Sequence, residues 1–298
     1  MGKHIDHNDW DPASGVGLTA TETAAARAVA TCRSSPLIKD LFAATLVRAV
    51  GDEFFIGLAE QRDSHDETRF AIPRLVDWIA ARTKFFDDYL MAATDAGIRQ
   101  VVILGAGLDA RSYRTEWPVD TTVYEVDQPG VTDFKTAVMA QMSAKPRALR
   151  RPVAADLIGE WVTPLLRCGY DRSLPTVWIA EGLLPYLPPP TQRMLLNNIA
   201  RISVSGSRFA ADTADDKGLT ELIASAMAHS ARPAGSTVNL AVGSGTAPPT
   251  RSELSELLGE HGWLATQFAA SDLFVRYGLP ATDDDIYHRI VFVTAAVS

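Results

Sequence analysis

Residues 101–104 form an uninterrupted apolar run, Val101-Val102-Ile103-Leu104, that feeds directly into Gly105-Ala106-Gly107. A run of this kind reads as a parallel strand buried on both faces. The glycines after it allow a tight turn and a close approach of backbone to a ligand. A second apolar run, Val123-Tyr124-Glu125-Val126, ends at Asp127, twenty positions after Gly107. An acid at that place can accept both hydroxyls of a ribose. The pair predicts an open α/β sheet that binds a nucleoside-containing cofactor.

Two cofactors fit the pattern. Gly105-Ala106-Gly107-Leu108-Asp109-Ala110 satisfies a Gly-x-Gly-x-x-Ala dinucleotide fingerprint, so NAD stays open. S-adenosylmethionine uses the same strand, turn and acid but needs no helix start for a pyrophosphate. Asp109 and Arg111 put charges where a dinucleotide turn is usually small and neutral, and about a hundred residues precede the motif. Both features favour the methyl donor.

The rest of the chain alternates in the manner of βαβ units. Strand-like runs fall at 100–104, 122–126, 152–155, 176–180 and 208–211, with helical stretches at 132–142 and 190–203 between them. Ahead of them lie an alanine-rich helix over 20–30, with Thr21 and Glu22 at its start as cap and dipole partners, and a second helix over 36–50. A charged loop covers 60–68. A long helix covers 72–96, with Leu75, Ile79, Phe86 and Leu90 on one stripe and Gly97 as its stop. A helix over 251–261 precedes two closing strands, 263–269 and 289–296, which read as a hairpin joined by a polar linker, one strand antiparallel to the rest.

Composition narrows the partners. The net charge is -8 with no basic cluster, which disfavours nucleic acid and an anionic membrane surface. No run of about eighteen apolar residues exists to span a bilayer. The polar start lacks the apolar stretch of a signal peptide. Cys32 and Cys168 are two isolated thiols, expected reduced in a cytoplasm. The six histidines, at 4, 7, 65, 229, 261 and 288, show no metal-ligand spacing with a second ligand, and no metal is expected.

Six ordered blocks carry a family resemblance. They are Gly17-Leu18-Thr19-Ala20, Ala81-Arg82-Thr83, the run Ile103 to Arg111, Glu125-Val126-Asp127-Gln128-Pro129, Asp156-Leu157 and Glu181-Gly182-Leu183-Leu184-Pro185-Tyr186-Leu187. The chain resembles the leucine carboxyl methyltransferase-like family, in its bacterial branch of S-adenosylmethionine-dependent methyltransferases, strongly over residues 15–215. The resemblance implies a seven-stranded Rossmann-like class I methyltransferase sheet with its last strand antiparallel. It implies an N-terminal helical cap over 1–96, integrated with a core over 97–298 that carries a lid insertion near 215–249.

It also implies a site. Arg82 matches an arginine that pairs with the cofactor's methionine carboxylate, a task suited to a guanidinium fork. Gly105, Ala106 and Gly107 match the turn beneath the methionine and ribose, and Asp127 the ribose acid. Asp156 and Leu157 match the pair beside the adenine, and Glu181 an acid facing the amino group or the sulfonium. Glu125 reads as a supporting residue and Lys135 as a solvated surface charge. Tyr186 is a candidate for orienting the acceptor and His229, in the expected lid, a candidate base. Ile158-Gly159-Glu160-Trp161-Val162 departs from the Arg and Asp-Trp-Pro-like element of many members, which alters the rim of the adenine edge.

The activity implied is O-methylation of a small carboxylate or hydroxyl compound, rather than of a protein C-terminus. A carboxylate acceptor is already anionic, whereas a hydroxyl needs its proton removed. Two other readings stay open at this point: an NAD-dependent oxidoreductase, against which the absence of a Tyr-x-x-x-Lys or a catalytic histidine set counts, and a non-catalytic S-adenosylmethionine-binding protein.

Overall fold

The computed structural model describes residues 15–60, 72–214, 251–280 and 285–297. The expected lid and His229 lie outside these residues. Among the described residues, no helix is long and apolar enough to cross a membrane.

A seven-stranded sheet runs in the order β3-β2-β1-β4-β5-β7-β6. Its strands are β1 (Gln100–Leu104), β2 (Thr122–Asp127), β3 (Leu149–Ala154), β4 (Thr176–Ala180), β5 (Arg208–Ala214), β6 (Trp263–Ala269) and β7 (Ile290–Val297). The first five pair in parallel, and β7 lies antiparallel between β5 and β6. This is the expected sheet. The closing pair is not a simple hairpin, however. Helices Ala270–Arg276 and Asp285–Arg289 stand between β6 and β7, and Leu273 and Phe274 bury the first of them against the sheet. The spacing hid them because each is only about two turns or less.

Alternation within the strands divides the core. Val101, Ile103, Val177, Ile179 and Phe292 face α4 (Ile72–Asp95), which contributes Val76, Trp78, Ile79, Phe86 and Leu90. Val102, Leu104, Trp178, Ala180 and Phe209 face the other way. There they meet α7 (Val162–Arg167), α8 (Pro189–Arg201) and the helix Arg251–Gly259. Strands sandwiched between two helical layers read as continuous apolar runs, which is why β1 and β4 match their sequence bounds. Edge strand β3 starts three residues before the expected run. Leu149, Arg151 and Pro152 are exposed and only Val153 is buried, so the strand has no apolar pattern to read.

The N-terminal helices form a third cluster. α1 (Gly15–Thr31), α2 (Ala43–Val50) and α3 (Glu53–Ala59) pack on Leu108, Ala110, Tyr113 and α6 (Pro129–Gln141). α1 begins earlier than expected. Thr21 therefore lies inside the helix, its hydroxyl donating to the Gly17 carbonyl 2.9 Å away, and Glu22 is no N-terminal dipole partner. The expected helix over 36–50 shortens to α2 because Asp40 intervenes. Its Oδ1 accepts the backbone N–H groups of Phe42 and Ala43, and its Oδ2 holds Arg27 at 2.9 Å. A side chain that bonds local backbone in this way favours a turn over a helix interior.

Phe292 joins these layers. Its ring meets Trp78, Phe85 and Phe86 of α4 and stacks on Phe268 of β6. Phe292→Ala is expected to lose about 3–5 kcal/mol of stability. Leu264→Ala, at an exposed site on edge strand β6, should move it by less than about 0.5 kcal/mol. Urea unfolding followed by circular dichroism checks both.

Candidate functional site at the carboxyl edge of the sheet

Register brings the expected residues to one edge. Leu104 pairs with Val126, Ile103 with Ile179, Asp127 with Ala154 and Ala180 with Ala211. Asp127 ends β2 at this edge, and the segments just beyond the other pairs hold the Gly105 turn, Asp156 and Glu181. Ligands in open α/β sheets bind outside the carboxyl ends of the strands.

The turn is tightly specified. Gly105 and Gly107 have φ of 64° and 41°. A Cβ on Gly105 would sit 3.0 Å from Leu183 Cδ1, and one on Gly107 would sit 3.4 Å from the Ala20 Cβ of α1. The small residues thus admit this chain's own side chains. The N–H groups of Gly105 and Ala106 both donate to the Val126 carbonyl, at 2.9 and 3.3 Å. Gly107 donates to Asp127 Oδ2 at 2.6 Å, and Gln128 donates to Oδ1 at 2.8 Å. Burial pushes the Asp127 carboxyl up, and those two backbone bonds only partly offset it. A carboxylate has about four lone-pair sites, so two remain for hydroxyl donors such as a ribose diol.

Lys135 overturns its sequence reading as a surface charge. It is 1% exposed, lies 3.0 Å from Glu125 Oε2 and donates to the carbonyls of Asp109 and Ala106 from beneath the turn. Glu125 also accepts from Arg150 Nε at 2.8 Å and Ser112 Oγ at 2.6 Å. It is a buried support and does not reach the edge as a free acid.

Arg82 is brought by α4 to the end of β4. Its Nε donates to Glu181 Oε1 at 3.1 Å, and its Nη1 lies 3.7 Å from Asp212 Oδ2. Its guanidinium lies against Gly182, where a Cβ would come within 3.2 Å of Nη1. Trp78 carries the cation on its ring at 5.9 Å. Asp212, on β5, also accepts the Gly182 N–H at 2.6 Å, and burial raises its carboxyl against the pull of Arg82. An isolated acid inside the apolar strand Phe209-Ala210-Ala211-Asp212 was the available signal for it, and the sequence reading passed over it.

Arg111 is the hub that sequence reasoning missed. It is 3% exposed and holds Asp87 Oδ1 at 2.6 Å, Asp109 Oδ2 at 2.5 Å and Glu181 Oε2 at 2.8 Å. Burial by itself raises the Asp109 carboxyl, but Arg111, Arg114, Lys135 and Arg27 together hold it well below its ordinary range. The sequence showed Asp109 and Arg111 only as unexpected charges after the turn.

Asp156 forms a local turn, its Oδ1 accepting the Ile158 N–H at 2.9 Å, and Leu157 is buried beside Trp161. No helix follows directly; α7 begins at Val162. Tyr186 ends a 3-10 turn, Leu184–Tyr186, and burial raises its hydroxyl beside Thr19, Arg82, Glu22 and Asp212. His261 and His288 sit elsewhere, paired with Asn197 and Ser271.

Removing a charge from this network should cost more than removing a contact. Arg111→Met leaves Asp87, Asp109 and Glu181 without their shared cation. It should destabilise the fold by about 3–5 kcal/mol, with Arg111→Lys between it and the parent. Denaturant midpoints for the three proteins test the order.

The sequence profile of leucine carboxyl methyltransferase matches residues 20–200. A protein of Mycolicibacterium vanbaalenii named "Putative S-adenosyl-L-methionine-dependent methyltransferase" is 51% identical over 97% of this chain and 98% of its own. One of Mycobacterium marinum with the same name is 45% identical over 97% of each chain. Among solved structures, one from Thermobifida fusca titled a putative methyltransferase superposes with a TM-score of 0.59. It shares 16% identity and covers 96% of this chain and 95% of its own, a likeness of fold. The profile and the two mycobacterial relatives place the chain in the leucine carboxyl methyltransferase family, among S-adenosylmethionine-dependent methyltransferases.

Proposed function

We propose that the chain is an O-methyltransferase that uses S-adenosylmethionine to methylate a carboxylate or hydroxyl of a small acceptor. The observation that carries the reading is the half-satisfied Asp127 carboxylate beneath the Gly105–Gly107 turn, with β1 between it and the end of β4 where Arg82 lies. The donor set suits the cofactor. Asp127 accepts from the ribose hydroxyls, and Gly105, Ala106 and Gly107 supply the backbone that lies beneath. Asp156 and Leu157 take the adenine, one by accepting from its amine and the other by apolar contact. Arg82 holds Glu181 through Nε and pairs with Asp212 only at 3.7 Å through Nη1, which offers the outer edge of its fork to a methionine carboxylate. Glu181 neutralises Arg82 and Arg111 and faces the ammonium end.

When bound, the cofactor supplies an activated methyl group on a sulfonium. What remains for the protein is largely positioning, and well-oriented reactants can be worth about 7–11 kcal/mol. Tyr186 and α1 border the methionine end and orient the acceptor. A carboxylate acceptor needs nothing more from them, whereas a hydroxyl requires a place for its proton.

S-adenosylmethionine at a hundred times its dissociation constant is expected to stabilise the fold by about 2.7 kcal/mol, read as a thermal shift. Asp127→Ala should remove about 1.5–3 kcal/mol of that affinity while the protein stays folded. Stabilisation by NAD with none from S-adenosylmethionine or S-adenosylhomocysteine defeats the reading.

Arg82→Lys keeps the charge beside Glu181 but loses the planar fork. It should weaken S-adenosylmethionine at least tenfold, about 1.4 kcal/mol, and leave adenosine nearly unchanged, because adenosine has no carboxylate to lose. Calorimetric titration with both ligands checks this, and equal weakening of the two removes Arg82 from the site.

A further inference from the structure

The acids at the carboxyl edge of the sheet hold partners within the chain, and Glu22 stands apart from them. Asp127 accepts two backbone N–H groups, Glu181 holds two arginines, and Asp212 holds Gly182 and Arg82. Asp109 and Asp87 are bound to Arg111. Glu22 of α1 is 6% exposed, and its Oε1 is buried without a hydrogen-bond partner. An acid in that state is costly unless a ligand completes it. Its place is specific. Two residues earlier Ala20 meets the Gly107 turn, and one helical turn earlier Thr19 lies beside the Tyr186 hydroxyl. The charged group that faces Glu22 is Arg82 of α4. Several other ionisable groups on the helices packed against α1 hold different partners or lie exposed. Arg48 bonds Glu60, Asp52 caps α3, Glu53 is exposed, Asp77 pairs with Arg33 and Asp87 with Arg114.

We propose that Glu22 accepts the proton of the methyl acceptor, which makes the acceptor a hydroxyl compound; the inference rests on the methyl-donor reading given above. As the acceptor oxygen bonds to the methyl carbon, the carbon–sulfur bond breaks and its electron pair stays on sulfur. The hydroxyl proton passes to a Glu22 oxygen. The sulfonium and carboxylate charges disappear together, leaving a neutral ether, a neutral thioether and a neutral side chain. Burial pushes the Glu22 carboxyl up to about 7 against the pull of Arg82, so in the free protein it is poised between its two states. A nearby cation favours the ionised form. Glu22 is then ionised beside the cationic donor and readily protonated beside the neutral product.

The experiment is calorimetry at pH 7 in phosphate and in Tris, buffers of different ionisation enthalpy. S-adenosylmethionine and S-adenosylhomocysteine are titrated into the parent and into E22Q. With a carboxyl near 7, the parent should release about half a proton more on binding S-adenosylmethionine than on binding S-adenosylhomocysteine. E22Q should bind both ligands and show no difference. Equal proton exchange for the two ligands in the parent overturns the proposal, as does a difference that persists in E22Q. Absence of binding by either ligand to the parent overturns the donor reading itself, a distinct result. The fold is checked by melting. The folded value lies above the unfolded 4.5, so the penalty is absent below 4.5 and complete above about 7. E22Q should melt with the parent at pH 4 and above it at pH 8. A variant that melts well below the parent at both marks Glu22 as a structural acceptor and sinks the proposal.

Discussion

The guanidinium of Arg111 fixes the geometry on which the rest of the site depends. It ties α4 through Asp87 and the Thr83 carbonyl, the glycine turn through Asp109, and the end of β4 through Glu181. Three separate elements are thereby held at set distances around one planar cation. The chain of charges continues outward, with Arg114 sharing Asp87 and lying 3.8 Å from Asp40, which in turn holds Arg27 of α1. Arg27 donates its remaining edge to the Leu108 carbonyl at 2.8 Å. The N-terminal helices are joined to the edge of the sheet by this path as well as by apolar packing, so the region that overlies the turn cannot shift without breaking buried ion pairs.

Such a network is a poor way to gain stability, because desolvating each charge costs about as much as pairing returns. Its value is geometric. A turn that must present backbone to a ligand has few apolar contacts of its own, and this one is held by bonds on three sides. Asp127 accepts from Gly107, Lys135 donates to the carbonyls beneath, and Arg111 grips Asp109. Each partner is itself held by packing or by a further charge, the condition under which a site keeps its shape before the ligand arrives.

How much of this was legible follows from the range of the forces involved. β1 and β4 stand where the apolar runs put them, because two-sided burial writes itself into consecutive residues, whereas β6 keeps its expected bounds as an edge strand in which only Trp263 is buried. The edge strand β3 and the short helices between β6 and β7 left weak patterns, since one is barely buried and the others are too short to show a period. In the site, Asp127 and the glycines were legible because their roles are local in sequence. Lys135, Arg111, Asp212 and Glu22 were not. Lys135 and Arg111 earn their burial from partners as distant as Glu181, seventy residues beyond Arg111, and no spacing rule reaches across that interval. Glu22 was misplaced for a simpler reason: Gly15 to Thr19 extend α1, and a residue read as a helix start became a buried interior position.

The pattern of commitment among the charges bears on how a cationic donor can sit beside arginines at all. Arg82 and Arg111 would repel a sulfonium if left bare. Glu181 contacts both of them, Asp212 adds to Arg82, and Asp87 and Asp109 add to Arg111, so the carboxylates at this edge outnumber the guanidinium groups. The field that reaches the ligand is therefore set by the acids more than by the arginines. Asp212 and Asp127 are both pushed toward their neutral forms by burial, which tempers that excess while the site is free. A ligand bearing positive charge favours their ionised forms, and the loss of that charge on methyl transfer removes the advantage. In the proposed site, the same electrostatics that admit the donor thus weaken the hold on the product.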